Sequence, residues 1–128
     1  MILIDTHIWV WWLTESPSLK KEHRAFLDNL SSDDIAISVI SVWEVAKAVE
    51  NKKLQFKLTA EEWIELASES VLIIPLDARI ILDSTKLPGN FHKDPADQLI
   101  VATARVNECA LLTADEKILN YSHVKHLK

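Results

Sequence analysis

The sequence predicts an α/β fold, a three-layer α/β/α arrangement around a central parallel sheet of four to five strands. Three observations point there. Short, unbroken apolar runs alternate with helix-length amphipathic stretches along all 128 residues, the pattern of parallel strands covered on both faces by crossover helices. Glycine occurs once, at Gly89, too sparsely for a hairpin-rich all-β fold or a glycine-rich phosphate loop. The length fits one domain, residues 1–128, with 48% hydrophobic residues to fill its core.

The elements follow in order. Ile2-Leu3-Ile4 is a strand that stops at Asp5. His7 to Leu13 reads as a helix with Trp9 and Trp12 on one face and Trp11 on another. Ser18 to Leu30 is an amphipathic helix offering Leu19, Ala25, Phe26, Leu27 and Leu30 to the core. Ile35 to Ser38 is the second strand, followed by helices over Ser41 to Asn51 and Thr59 to Ser68, with Trp43 and Trp63 placed in the core. Val71 to Ile74 is the third strand, closed by Pro75. Asp77 to Ser84 is helical, Leu87 to Asn90 is a turn, and Pro95 to Asn107 is a strong helix. Ala110 to Leu112 is the fourth strand, Ala114 to Asn120 a short helix, and Val124 to Leu127 a short final strand.

Composition excludes several classes. The net charge of −5 argues against broad, sequence-blind nucleic-acid binding. Two basic groups, Lys47/Lys52/Lys53/Lys57 and Lys20/Lys21/His23/Arg24, read singly as solvated faces. The N-terminus lacks a basic region ahead of its apolar run, and no apolar stretch approaches the ~20 residues of a membrane span. The lone Cys109 lies in an apolar run and reads as a buried, reduced thiol. Together these lead to the expectation of a soluble cytoplasmic protein with no membrane association.

Ligands of open α/β sheets bind at the carboxyl ends of the strands. Asp5 directly follows strand one, Glu44 lies in the first turn of the helix after strand two, Asp97 lies in the first turn of the Pro95 helix, and Asp115 follows strand four. Each has a helix-capping explanation. Ser41-Val42-Trp43-Glu44 has the pattern of a capping box, Asp94-Pro95-Ala96-Asp97 that of an N-cap with proline at the first helical position, and Thr113-Ala114-Asp115-Glu116 that of another box. The joint placement points further. Strands one, two and four as neighbours would aim these acids into one acidic pocket, where their repulsion calls for a counter-cation. An oxygen-only donor set suits Mg²⁺ or Mn²⁺. No histidine or cysteine cluster with zinc spacing is present.

At these residues the chain resembles the PIN-domain family, and within it the VapC-like ribonuclease toxins of type II toxin–antitoxin systems. The resemblance spans essentially the whole chain and rests on four motifs in order: Met1-Ile2-Leu3-Ile4-Asp5-Thr6-His7 with Trp11-Trp12-Leu13; Ile40-Ser41-Val42-Trp43-Glu44-Val45-Ala46; Leu87-Pro88-Gly89 with His92-Lys93-Asp94-Pro95-Ala96-Asp97-Gln98-Leu99-Ile100; and Leu111-Leu112-Thr113-Ala114-Asp115. It implies that Asp5, Glu44, Asp97 and Asp115 are the catalytic, metal-binding acids. Thr6 and Thr113 would support them, and Asp94 would sit at the pocket edge mainly as a helix cap. His92 and Lys93 would stand at the pocket mouth as RNA contacts. The implied activity is Mg²⁺- or Mn²⁺-dependent hydrolysis of RNA phosphodiesters. The implied partners are the RNA substrate, a small antitoxin whose tail fills a groove between helices near the active site, and a second copy in a homodimer. The rival within the family is an RNA-processing nuclease or non-catalytic RNA-binding scaffold outside a toxin–antitoxin pair. A phosphoacceptor receiver domain lacks its paired acids and late lysine here, and a haloacid-dehalogenase-type phosphatase would need an Asp where His7 stands.

Overall fold

The computed structural model describes residues 1–127. Four parallel strands form the sheet: β1 (Ile2–Ile4), β2 (Ile35–Ser38), β3 (Leu72–Ile74) and β4 (Ala110–Leu112), in the order β3-β2-β1-β4. Their register pairs Ile2 with both Ile35 and Ala110, and Ala36 with Leu72. β1 therefore sits between β2 and β4, and the carboxyl ends of these three strands lie side by side.

The described residues also form seven α-helices: α1 (Thr6–Leu13), α2 (Lys21–Asp28), α3 (Val39–Glu50), α4 (Ala60–Ala67), α5 (Ala78–Ser84), α6 (Pro95–Val106) and α7 (Glu116–Leu119). Strand side chains alternate between faces, and this alternation divides the core in two. Ile4, Ile35, Ile37 and Leu112 pack with Ile8 and Trp9 of α1, Leu27 of α2, Val45 of α3 and Trp63 of α4. Leu3, Ala36 and Leu111 pack on the opposite face with Ile100, Val101 and Ala104 of α6 and Ile118 of α7. The result is the three-layer α/β/α arrangement.

Trp9 is completely buried, with its ring edge-on to Trp63 at 5.1 Å between centroids. Phe56 stacks face to face on Trp63 at 4.5 Å between centroids. Offset and edge-on aromatic contacts of this kind add to plain area burial. Trp12 instead donates its indole N–H to Asp28 Oδ1 at 2.8 Å, which ties α1 to α2.

Several expectations need correction. Trp43 is not in the core: it is 53% exposed, on the outward face of α3. Phe26 and Ala25 also face solvent, because α2 begins only at Lys21 and rests on the sheet through Leu27. The helix after strand two starts at Val39 rather than Ser41, and Ser38 caps it by accepting the Ile40 N–H. The Ser41–Glu44 capping box does not form. The helix with a complete capping box is α4, where Thr59 and Glu62 exchange side-chain and backbone bonds. The expected last strand reduces to one parallel bridge between Leu111 and His126, held by the Leu111 N–H to the Lys125 carbonyl and the Leu127 N–H to the Leu111 carbonyl. No helix among the described residues is long and apolar enough to cross a membrane.

Candidate active site

Asp5 leaves β1 in an extended conformation and caps α1 with Oδ1, which accepts the Ile8 N–H at 2.9 Å. Its Oδ2 accepts a short hydrogen bond from the Thr113 hydroxyl at the end of β4. Thr113 Oγ1 in turn accepts the Asp115 N–H at 3.0 Å. One threonine thus fastens the ends of the two neighbouring strands together. Asp115 caps α7 through the Lys117 N–H at 2.8 Å, so the N-cap there is Asp115 and not Thr113.

Glu44 lies in the second turn of α3, not the first, because the helix starts two residues earlier than the sequence suggests. It points towards α1, where Thr6 Oγ1 donates to Glu44 Oε1 at 2.5 Å. The same hydroxyl lies 2.8 Å from the buried Ser41 hydroxyl. Ser41 is a site neighbour that sequence reasoning assigned to capping; its position three residues before Glu44, one turn back on the same face, is the available signal.

Asp97 is the third residue of α6. Its N–H is accepted by the N-cap Asp94 Oδ1 at 3.1 Å, behind the Pro95 that opens the helix. The preceding loop brings His92 Nε2 within 3.0 Å of Asp97 Oδ2, a close approach whose angles fall short of a hydrogen bond. Gln98 anchors this loop by donating to the His92 carbonyl at 3.1 Å. Lys93 is exposed beside it.

The acids form one electrostatic group. Burial first, and then the charges of Asp94, Asp115, Glu44 and Asp5, together raise the Asp97 carboxyl from its ordinary value of 3.8 to about 7. Burial also raises Glu44; the Thr6 bond opposes this, while Asp94 and Asp5 reinforce it. Asp5 is raised by burial too, against the bonds from Thr113 and Ile8, with Asp115 adding repulsion. His7 is exposed and offsets part of the negative field at both Asp5 and Glu44. The sequence reading gave His7 no role of its own; it stands two residues after Asp5, on the first turn of the helix that Asp5 caps. Among the described residues, no three carboxylate, imidazole or thiol groups converge as a ready-made cage for an ion. The acids share a field without sharing a single ligand point. Chemically the donor set fits a hard divalent cation, since it offers carboxylate oxygens whose mutual repulsion such an ion would relieve.

The model of the PIN domain family matches residues 2–124. The chain belongs to the PIN domain family. Ribonuclease VapC22 of Mycobacterium tuberculosis is 28% identical over 122 residues, spanning 95% of this PIN domain chain and 92% of that protein. Among solved structures, the DNA-bound VapBC of Salmonella typhimurium matches with a TM-score of 0.75 at 15% identity, covering 98% of this chain and 96% of that one. A toxin–antitoxin complex from Klebsiella pneumoniae matches with a TM-score of 0.69 at 23% identity, covering 95% and 92%. FitAcB of Neisseria gonorrhoeae matches at 0.73 and 21%, covering 100% and 97%. These structural likenesses bear on the fold of the PIN domain, and its four motif acids all stand at the same end of the sheet.

Proposed function

We propose that this PIN domain is a metal-dependent endoribonuclease that acts as the toxin of a toxin–antitoxin pair. The observation that carries the reading is the coupling of Asp5, Glu44, Asp97 and Asp115, a group of carboxylates whose charges oppose one another. Such a group is costly unless a cation joins it, and phosphodiester hydrolysis is chemistry that a cation there would serve. The similarity to Ribonuclease VapC22 and to solved toxin–antitoxin proteins supports the toxin role.

Asp5, Glu44, Asp97 and Asp115 would hold Mg²⁺ or Mn²⁺, which suit an all-oxygen donor set. When bound, such an ion supplies Lewis-acid activation of water and neutralisation of charge on the phosphodiester. The protein's own groups do the positioning. Thr113 keeps Asp5 fixed while its hydroxyl accepts the Asp115 amide, and Thr6 orients Glu44. In the metal-free chain Asp97 is pushed to about 7, so taking up a cation there would be coupled to loss of a proton near neutral pH. His92 and Lys93 would contact phosphate at the mouth. The partners would be a small antitoxin and a second copy of the chain. Exposed Leu72 and Ile73 on the edge strand and Ile81 and Leu82 on α5 support a homodimer by offering apolar surface to cover. The one buried thiol, Cys109, raised by its burial, suits a reducing cytoplasm.

The test uses purified protein on structured RNAs. Cleavage should require Mg²⁺ or Mn²⁺, stop with chelator, and disappear in Asp5→Asn and Asp97→Asn. Undiminished cleavage by either variant would sink the proposal. Co-expression of the adjacent small open reading frame should restore growth that the chain alone arrests, and no rescue would refute the toxin role.

A further inference from the structure

Beside the acids, a groove of about 480 Å³ runs between α1 and α3, within the range of ligand-sized clefts. Thr6, His7 and Trp11 form one wall, Glu44 and Ala48 the other, and Lys53 stands at the far end. The groove opens directly onto the acid group, because Thr6 and Glu44 belong to both.

Its wall presents paired ring faces. His7 and Trp11 are one helical turn apart, with centroids at 5.7 Å and planes tilted by 46°. His7 is exposed and Trp11 half-buried. Its far end is built by a strained turn. Lys52 closes α3 at φ 60°, a left-handed conformation that costs a lysine energy. The turn directs the Lys53 N–H to the Ala48 carbonyl at 2.8 Å, joined there by the Leu54 N–H at 3.1 Å. The chain then folds back along the groove and is pinned by Phe56 stacked on Trp63. Lys53 is exposed and lines the groove from beyond the C-terminal end of α3, whereas Glu44 lines it from the second turn of that helix.

Resting on the ribonuclease reading, we propose that this groove is a nucleotide subsite: it takes the RNA residue next to the scissile bond, with its base against His7 and Trp11 and its phosphate at Lys53. A phosphodiester held at the acids forces the adjoining nucleotide into a neighbouring depression, and this one is continuous with them. Aromatic faces receive any base, since every base has a π-face, and a cation beside them tracks the backbone. The lining favours a nucleotide over a peptide, because it combines ring faces and one lysine in a groove that opens onto the acids. Lysines that read in sequence as a solvated face thereby gain a role for one of their number.

The experiment follows the Trp11 indole and Ala48 amide signals of the full chain by NMR. AMP, GMP, CMP and UMP are titrated one at a time without divalent ions, and Trp11→Phe assigns the indole. Saturable shifts at both signals are expected with all four nucleotides. They should weaken about tenfold in Lys53→Ala and in Trp11→Leu, recover in Trp11→Phe for the Ala48 signal, and stay unchanged in Lys57→Ala, an exposed lysine outside the groove. In RNA cleavage, Lys53→Ala should raise KM about tenfold with kcat within twofold of the parent chain. RNA cleavage with no nucleotide shift at Trp11 and Ala48, or equal effects of Lys53→Ala and Lys57→Ala, overturns the subsite and leaves the nuclease reading intact. Nucleotide shifts at the groove without any metal-dependent cleavage would instead remove the nuclease reading. If a co-expressed partner protein occupies the groove and nucleotides fail to compete with it, the groove is a protein-docking surface and the subsite is refuted.

Discussion

Asp97→Asn should make the protein more stable at pH 8 while abolishing its activity. In the folded chain Asp97 holds its proton up to about 7, whereas its ordinary value is 3.8. Between these values the folded state binds more protons than the unfolded one, so stability falls as pH rises through the window. At 1.36 kcal/mol per pH unit the gap would correspond to roughly 4 kcal/mol, but the side chain is only partly buried, and screening reduces the expectation to about 2 kcal/mol. Asparagine has no proton to lose and no charge to set against Asp94, Asp115, Glu44 and Asp5. Urea unfolding with chelator present, at fixed protomer concentration, measures the difference. The variant should match the parent chain near pH 3.5 and exceed it by about 2 kcal/mol at pH 8. Added Mg²⁺ should then raise the parent's midpoint more than the variant's, because a ligand stabilises the state that binds it. A variant less stable at pH 8, or a difference that ignores pH, would refute the account of Asp97 as a carboxylate held against its neighbours.

Asp5→Asn should fold normally and fail to cleave, because asparagine retains the N-cap of α1, while Asp5→Ala should also lose about 1 kcal/mol in urea unfolding. Thr113→Val should cost about 1–3 kcal/mol in the same assay and lower kcat, since it leaves the buried Asp5 oxygen and the Asp115 N–H unpaired. Gly89→Ala should lower stability by about 1 kcal/mol, because Gly89 sits at φ 67° and a Cβ there would meet the His123 ring at 3.3 Å; an unchanged thermal midpoint would argue against that turn geometry.

The strands and the order of the helices were legible because their signals are local. Continuous apolar runs marked β1, β2 and β4, and Pro95 behind Asp94 marked the start of α6. What failed was fine register. Ser41 and Ser38 are both plausible N-caps, and the choice of Ser38 moved Glu44 from the first turn of α3 to the second, where it can reach Thr6. Trp43 was misplaced for a related reason: an aromatic residue beside Glu44 looks like core until the facing of the whole helix is known, and α3 turns Val45 inward. The contribution of His7 to the acidic field depends on side-chain proximity across α1 and α3, which no spacing rule conveys.

Capping and metal binding looked like rival explanations of the same acids, and the geometry makes them compatible. A carboxylate has two oxygens and accepts several bonds. Asp94 and Asp115 each give Oδ1 to a helix N-terminus and keep Oδ2 for other partners; Asp5 gives Oδ1 to the α1 N-terminus and Oδ2 to Thr113. The N-terminal ends of α1, α6 and α7 carry partial positive charge that favours ionised groups beside them. Part of the repulsion among the acids is thereby offset before any cation arrives. The least compensated member is Asp97, whose own N–H is capped but whose carboxylate meets only His92 and like charges. The physical argument therefore singles out Asp97 as the acid that gains most from a bound cation, and makes the loss of metal-induced stabilisation in Asp97→Asn a sharper test of the site than the loss of cleavage alone.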